Sequence, residues 1–95
     1  MIMEKMTFRK AIHEAIRESD LNIRQKLKLN VVLLIPGAKK KIEEHILNEA
    51  KNAQIVNDTL TLDSDAQLDI DWDKVKEFIK TYLPILIQLL IAILL

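Results

Sequence analysis

Cysteine is absent from the 95-residue sequence, which also has one glycine, two prolines and only 4% aromatic residues. Without cysteine the chain can form no disulfide framework, thiol nucleophile or cysteine-ligated zinc site. So few turn-forming residues cannot easily supply the many tight hairpins of a β-sandwich or barrel. The sequence therefore predicts a mainly α fold, a small helical domain.

The composition otherwise indicates one folded domain. Apolar residues make up 49% of the sequence and charged residues 29%, and the formal net charge is zero. That balance is too apolar for a disordered segment. A domain of this length buries about two thirds of the surface that its unfolded chain exposes, which leaves little room for a substrate cleft. The first residues lack the apolar core of a signal peptide and indicate no secretion route.

Positive and negative residues are separated along the chain. Residues 1–54 carry eleven Lys or Arg against seven Asp or Glu, whereas residues 55–73 carry six Asp and no Lys or Arg. A basic first half and an acidic middle segment can neutralise each other within one chain or between copies. The basic half is therefore weak support for a nucleic-acid partner.

Three amphipathic helices are predicted in the first half of the chain. Thr7 is a suitable N-cap for the first, over residues 7–18. Pro36 can serve as the first residue of the third, which ends at about Ala53. The apolar face of this third helix contains Ala38, Ile42, Ile46, Ala50 and Ala53. Its opposite side contains Glu43, Glu44, Glu49 and Lys51.

The segment between these two helices, residues 21–35, fits two patterns. With Asp20 as N-cap, a helix face is formed by Ile23, Leu27, Val31 and Leu34. A strand face is formed equally well by Leu27, Leu29, Val31, Leu33 and Ile35. The β-branched residues favour a strand and the length of the segment favours a helix, and we predict the helix.

Residues 57–71 form an acidic segment with the alternation of a hairpin. Apolar residues alternate with polar ones on both sides of a short loop, at Leu60, Leu62, Leu68, Ile70 and Trp72. We therefore expect a short β-hairpin over about residues 59–70, or a linker. The aspartates from Asp63 onward do not form a calcium-binding EF-hand, which needs glycine at its sixth position and glutamate at its twelfth.

A long apolar C-terminal helix is predicted over residues 72–95, with Asp71 as its N-cap. Exposing its leucines and isoleucines to water would cost on the order of 15 kcal/mol or more. The shorter helices, each with a half-apolar face, are not expected to hide it. We therefore predict anchoring or oligomerisation through Trp72, Phe78, Tyr82, Ile85, Leu86, Ile87, Leu89, Leu90, Ile91, Ile93 and Leu94.

The apolar helix could be buried in a membrane, in a helical bundle or in the core of its own chain. Its fully apolar part is about 21 Å long, shorter than the roughly 30 Å hydrocarbon core, so a membrane span would have to include charged residues. A polar stripe of Glu77, Thr81 and Gln88 favours packing in a helical bundle. Pro84 should kink the helix or begin a new one. A core helix within the same chain is the remaining alternative.

No residue pattern indicates catalysis, a metal site or a cofactor. His13 and His45 lie on different predicted helices without a metal-binding or catalytic spacing. Lys39, Lys40 and Lys41 form a basic patch at the start of the third helix. The patch lacks the interleaved aromatic residues of a nucleic-acid-binding surface, so a solvated face or a contact with a neighbour's acidic segment is the better interpretation.

Taken together, these patterns predict a non-catalytic structural or assembly protein without cofactors. It consists of an amphipathic helical region (1–56), an acidic hairpin or linker (57–71) and a hydrophobic C-terminal helix (72–95). Its partners are copies of itself or other subunits of a larger assembly, for example a virus particle, and removal of residues 83–95 should yield a soluble monomer. The alternatives are a membrane protein with one C-terminal span, tail-anchored or holin-like, and a nucleic-acid adaptor that uses the basic N-terminal half.

Overall fold

The computed structural model describes residues 6–64 and 70–94, with side-chain positions as far as residue 90. Four helices follow one another in these ranges: α1 (Phe8–Glu18), α2 (Ile23–Leu33), α3 (Ala38–Asn52) and α4 (Trp72–Leu94). The same ranges contain no strand. The prediction of a mainly helical small domain is therefore confirmed.

Side-chain caps begin the first two helices. The Thr7 hydroxyl accepts a hydrogen bond from the N–H of Lys10 at 3.2 Å, as the sequence predicted. α2 is capped by Asn22 and not by Asp20, because Asn22 and Gln25 form a reciprocal capping box. The Asn22 side chain accepts from the Gln25 N–H at 2.8 Å, and the Gln25 side chain accepts from the Asn22 N–H at 3.2 Å. These bonds satisfy backbone donors that the first turn would leave without partners.

A tight turn at Pro36 and Gly37 connects α2 to α3. Gly37 is the N-cap of α3, and its φ of 81° lies in the left-handed region that glycine adopts without strain. Pro36 belongs to the turn, so α3 begins after it, at Ala38, and not at the proline itself. The end of α3 at Asn52 agrees with the predicted boundary at about Ala53.

The described part of the acidic segment forms turns and irregular structure in place of the first strand of the expected hairpin. Leu60 and Leu62 are both buried in the core, together with Val56. The Leu62 carbonyl accepts a hydrogen bond from the N–H of Arg9 at 3.1 Å, so this backbone pairs with the first turn of α1. The second strand was expected to follow the loop, from about residue 67 to Ile70. Residues 67–69 lie outside the described residues, Ile70 is irregular, and Trp72 already belongs to α4.

α4 packs against all three other helices, as α3 does, and its contact with α1 is the most extensive between any two helices. Its inner face buries Val75, Ile79, Leu83, Leu86 and Ile87. The residues that α1 and α3 contribute to the same core are Phe8, Ala11, Ile12, Ala15, Ile42, Ile46, Leu47 and Ala50. The Cα radius of gyration is 13.3 Å, close to the value of about 12–13 Å expected for a compact domain of this length.

Ion pairs join α1 to α4 at the rim of the core. The Lys76 ammonium lies 3.6 Å from the Glu14 carboxylate and 3.4 Å from that of Glu18, and the Lys80 ammonium lies 3.8 Å from Glu18. The hydrogen bond to Glu18 raises the pKa of Lys76, desolvation opposes this effect, and the charges of Glu18 and Glu14 add to the rise. These side chains are partly exposed, so each pair adds little stability but favours one alignment of α4 on α1.

A buried carboxylate joins α3 to α1. The Glu43 side chain is only 3% exposed, with Nε of Arg9 at 3.3 Å and Nε2 of His13 at 3.4 Å. Arg9 also lies 3.3 Å from Asp63 of the irregular segment. Glu43 therefore does not belong to the solvated side of α3 on which the sequence placed it, and its charge requires the basic side chains beside it.

Candidate docking surface

The predicted anchoring residues of α4 divide between the core and the surface. Buried or half-buried against the core are Leu86, Ile87, Trp72, Phe78, Tyr82 and Leu90. Ile85 and Leu89 are exposed, at 50% and 41%. The side chains of Ile91, Ile93 and Leu94 lie outside the described residues.

One face of α4 is thus sheltered by the chain's own core, contrary to the expectation that the shorter helices could not hide it. The reason is that α1, α2 and α3 all contact this helix, so its inner face is shared among three neighbours. Removal of residues 83–95 would take Leu83, Leu86 and Ile87 out of the core. Truncation is therefore expected to destabilise the fold and not to release a soluble monomer.

The polar stripe predicted on α4 lies on its exposed side. Glu77, Thr81 and Gln88 are all exposed, and the Thr81 hydroxyl donates a hydrogen bond to the Glu77 carbonyl at 3.0 Å. Pro84 lies on the same side, and α4 continues through it, so no new helix begins there. Ile85 and Leu89 lie beside this stripe and are apolar. We call the surface that these two residues form the distal α4 face.

α2 has two apolar faces, of which the fold uses one. Leu29 and Val32 are buried and Leu33 is half-buried. Exposures of 58% to 82% are found for Ile23, Leu27, Val31 and Leu34. The sequence thus predicted the helix correctly, but the apolar residues on which that prediction relied point to solvent. At 3.6 residues per turn these four side chains form one line along the helix, which we call the α2 outer stripe.

A groove of about 440 Å³ separates the end of α2 from the distal part of α4. Its apolar lining includes Val32, Ile35, Pro36, Leu86, Leu89 and Leu90, and Lys41 and His45 also line it. Ile35 is 41% exposed at one side of the groove, as Leu89 is at the other. Because Leu89 belongs to both, the apolar lining of the groove is continuous with the distal α4 face.

Charges near the apolar surfaces are mainly positive. α2 contains Arg24, Lys26 and Lys28 and no acidic residue. The predicted basic patch of Lys39, Lys40 and Lys41 is exposed in the first turn of α3. Two of its members adjoin the apolar surfaces, because Lys41 lines the groove and Lys39 lines a separate depression with Leu34.

The described residues show few other candidates for chemistry. Within them, no group of three or more His, Asp or Glu side chains is placed to hold a metal ion. His13 and His45 contact different partners, Glu43 and Tyr82, so the structure does not bring them into one site. Across the described residues, we find no helix that combines the length and apolarity needed to cross a membrane.

Comparisons of the chain with protein-family models, curated proteins and solved structures find no match. The candidate surfaces therefore have to be interpreted from their own geometry. Sequence reasoning had missed the groove and the α2 outer stripe. A signal for the stripe was present, because Leu29, Val32 and Leu33 supply a second apolar face within the same segment, and one helix packed on a small core buries only one of the two.

Proposed function

We propose that this chain is a non-catalytic structural protein that assembles with copies of itself through the distal α4 face and the adjoining groove. The observation that supports the proposal is the exposure of Ile85 and Leu89 next to an apolar groove. Single exposed apolar side chains are ordinary on soluble proteins, but contiguous apolar surface marks a contact site.

A second copy is the occupant that the charge pattern favours. From Thr81 to Leu95 the sequence contains no charged residue. Two copies can therefore place their distal α4 faces together without opposing like charges, which would disfavour the contact by several kcal/mol. Lys41 is a cation that lines the adjoining groove. The apolar residues that continue the sequence beyond Leu90 extend the same uncharged segment.

The free energy available supports reversible association. Each large aliphatic side chain contributes about 1.5–3 kcal/mol when it passes fully from water into an interface. A symmetric contact would bury Ile35, Ile85 and Leu89 from both copies. Part of this gain is offset by the lost freedom of the partners, so we expect dissociation constants in roughly the micromolar range.

Sedimentation velocity on the full-length chain over a range of concentrations tests the proposal. We expect the average sedimentation coefficient to rise with concentration. In the Ile85→Ser/Leu89→Ser double variant, the dissociation constant should increase by at least about tenfold, or 1.4 kcal/mol. Both positions are exposed, so circular dichroism should show the same helix content as in the unaltered chain.

Leu27→Ser provides the matched control, because Leu27 is an exposed leucine on the α2 outer stripe and not on the distal α4 face. It should leave self-association unchanged. A chain that stays monomeric at every concentration, or a double variant that associates as strongly as the unaltered chain, would contradict the proposal.

A further inference from the structure

The α2 outer stripe has the dimensions of a helix-packing ridge. Ile23, Leu27, Val31 and Leu34 extend over about 16 Å of helix axis at 1.5 Å per residue. They occupy an arc of only about 80° around that axis, narrower than the apolar face of an ordinary surface helix and closer to the seam of a coiled coil. A narrow, straight ridge of this kind packs against another helix.

Positive charge borders this ridge along both edges. On the helical projection Arg24 and Lys28 follow one edge of the stripe, and Lys26 follows the other. α2 has no acidic residue that could neutralise them from within the helix. A partner that packs on the stripe would gain favourable electrostatic contacts if its flanking residues were acidic.

Within residues 6–64 and 70–90, a second copy of the chain presents no surface that matches these requirements. Two α2 outer stripes placed face to face would bring cations opposite cations. The exposed acidic residues in the described ranges are Glu18, Asp20, Glu44, Asp58, Asp63, Asp71, Asp73 and Glu77. Of these, Asp73 and Glu77 share a helix with large exposed apolar side chains, but they lie in the first half of α4 and Ile85 and Leu89 lie in its second half. No surface among the described residues therefore combines an apolar ridge with acidic flanks.

We infer that the α2 outer stripe docks an amphipathic helix with acidic flanks, supplied by a different protein. An anionic lipid surface would also attract the cations, but interfacial helices insert a broad apolar face, and here the other apolar face of α2 is already buried in the core. The inference goes beyond self-assembly through the distal α4 face, and the two contacts use different residues.

Binding of two designed peptides to the full-length chain tests this inference. Both peptides repeat leucine at heptad positions a and d; one carries glutamate at the flanking positions and the other lysine. In fluorescence anisotropy the glutamate peptide should bind at least about tenfold more tightly than the lysine peptide, a difference of 1.4 kcal/mol. Added salt should weaken its binding, because the flanking contacts are exposed to solvent.

Two substitutions in the chain assign the contact to the stripe. Leu27→Ser should weaken binding of the glutamate peptide by at least about tenfold, whereas Leu89→Ser should not change it. The double substitution Arg24→Glu/Lys28→Glu should reverse the preference between the two peptides. These positions are all exposed, so the altered chains should keep their helix content.

Several outcomes would overturn the inference: equal affinity for the two peptides, no binding of either, or binding of the glutamate peptide that Leu27→Ser leaves unchanged. Binding of the chain and of its Leu27→Ser variant to vesicles of phosphatidylglycerol and phosphatidylcholine is measured in parallel. Leu27-dependent binding to these vesicles without binding of the glutamate peptide would assign the stripe to a lipid surface and also overturn it. Self-association is measured by sedimentation and depends on Leu89, whereas peptide binding is measured by fluorescence anisotropy and depends on Leu27. Either proposal can therefore fail without the other.

Discussion

The Nε2 atom of His45 on α3 lies 2.6 Å from the hydroxyl oxygen of Tyr82 on α4. Phe78 stacks on the same tyrosine, with ring centroids 6.2 Å apart and an interplanar angle of 4°. Desolvation by this packing raises the pKa of Tyr82 above its ordinary value of 10.0, and the negative charge of Glu49 adds to the effect. The hydroxyl is thus held in its protonated form where α3 meets α4.

The raised pKa can be measured directly, because Tyr82 is the single tyrosine of the chain. Tyrosinate absorbance should titrate above pH 10.0 in the folded protein and near that ordinary value in urea. Between these two pKa values the unfolded state loses a proton that the folded state keeps, so the free energy of unfolding should fall as pH rises.

Tyr82→Phe should remove this contribution to the pH dependence. It should also lower the free energy of unfolding by about 0.5–1.5 kcal/mol at neutral pH, the usual net value of one hydrogen bond. Some alkaline loss should remain, because the raised pKa of Lys76 acts in the same direction. A folded-state midpoint at or below the ordinary tyrosine value would contradict this account.

Replacement of the buried Glu43 should destabilise the fold. Glu43→Ala leaves Arg9 without its buried partner, and removing one partner of a fully buried pair costs about 3–5 kcal/mol. Arg9 is 36% exposed and can turn toward water, so we expect a loss of about 2 kcal/mol, equivalent to roughly 10 °C in Tm. Glu44→Ala, at the exposed neighbouring position, is the control and should change stability by less than about 0.5 kcal/mol. Equal melting temperatures of the two variants would show that the carboxylate is not buried.

Two leucines of α2 test which face of that helix points inward. Leu29 is 1% exposed and Leu27 is 58% exposed. Leu29→Ala should lower the free energy of unfolding by about 2–5 kcal/mol, because it removes core packing and leaves a cavity. Leu27→Ala should change it by less than about 0.5 kcal/mol. Urea denaturation separates the two, and the opposite ranking would mean that α2 packs through its outer stripe.

Gly37 supplies a purely conformational test. Its φ is +81°, and beyond the glycine and its two chain neighbours no heavy atom lies within 4 Å of the position that a Cβ would occupy. Gly37→Ala should therefore cost about 1–2 kcal/mol through backbone strain alone. Gly37→Asn should cost less, since asparagine tolerates the left-handed region better than alanine. If the alanine and asparagine variants melt at the same temperature as the unaltered chain, the turn does not require this conformation.

Local rules predicted the helices better than their packing. Thr7 caps α1 as expected, and the Asp71 carboxylate accepts a hydrogen bond from the N–H of Lys74 at 3.2 Å at the start of α4. Such caps depend on neighbours a few residues away, so they can be inferred from the sequence.

The orientation of α2 depends on residues far along the chain. Ile23 and Leu27 have the helical spacing of a core face, but Leu29 and Val32 pack inward because α3 and α4 contact that side. Leu60 and Leu62 alternate as in a strand, yet both are buried in the helical core. In each case the apolar pattern was consistent with two structures, and only tertiary contacts select between them. The candidate surfaces were missed for the same reason.

The pairing of α1 with α4 has a consequence for synthesis of the protein. α1 ends at Glu18 and α4 begins at Trp72, so the partner that completes the core leaves the ribosome only after the intervening segment has been translated. At about 5–20 residues per second this delay lasts on the order of several seconds. During that interval Phe8 and Ile12 have no α4 to pack against, so the core cannot be completed until α4 has emerged.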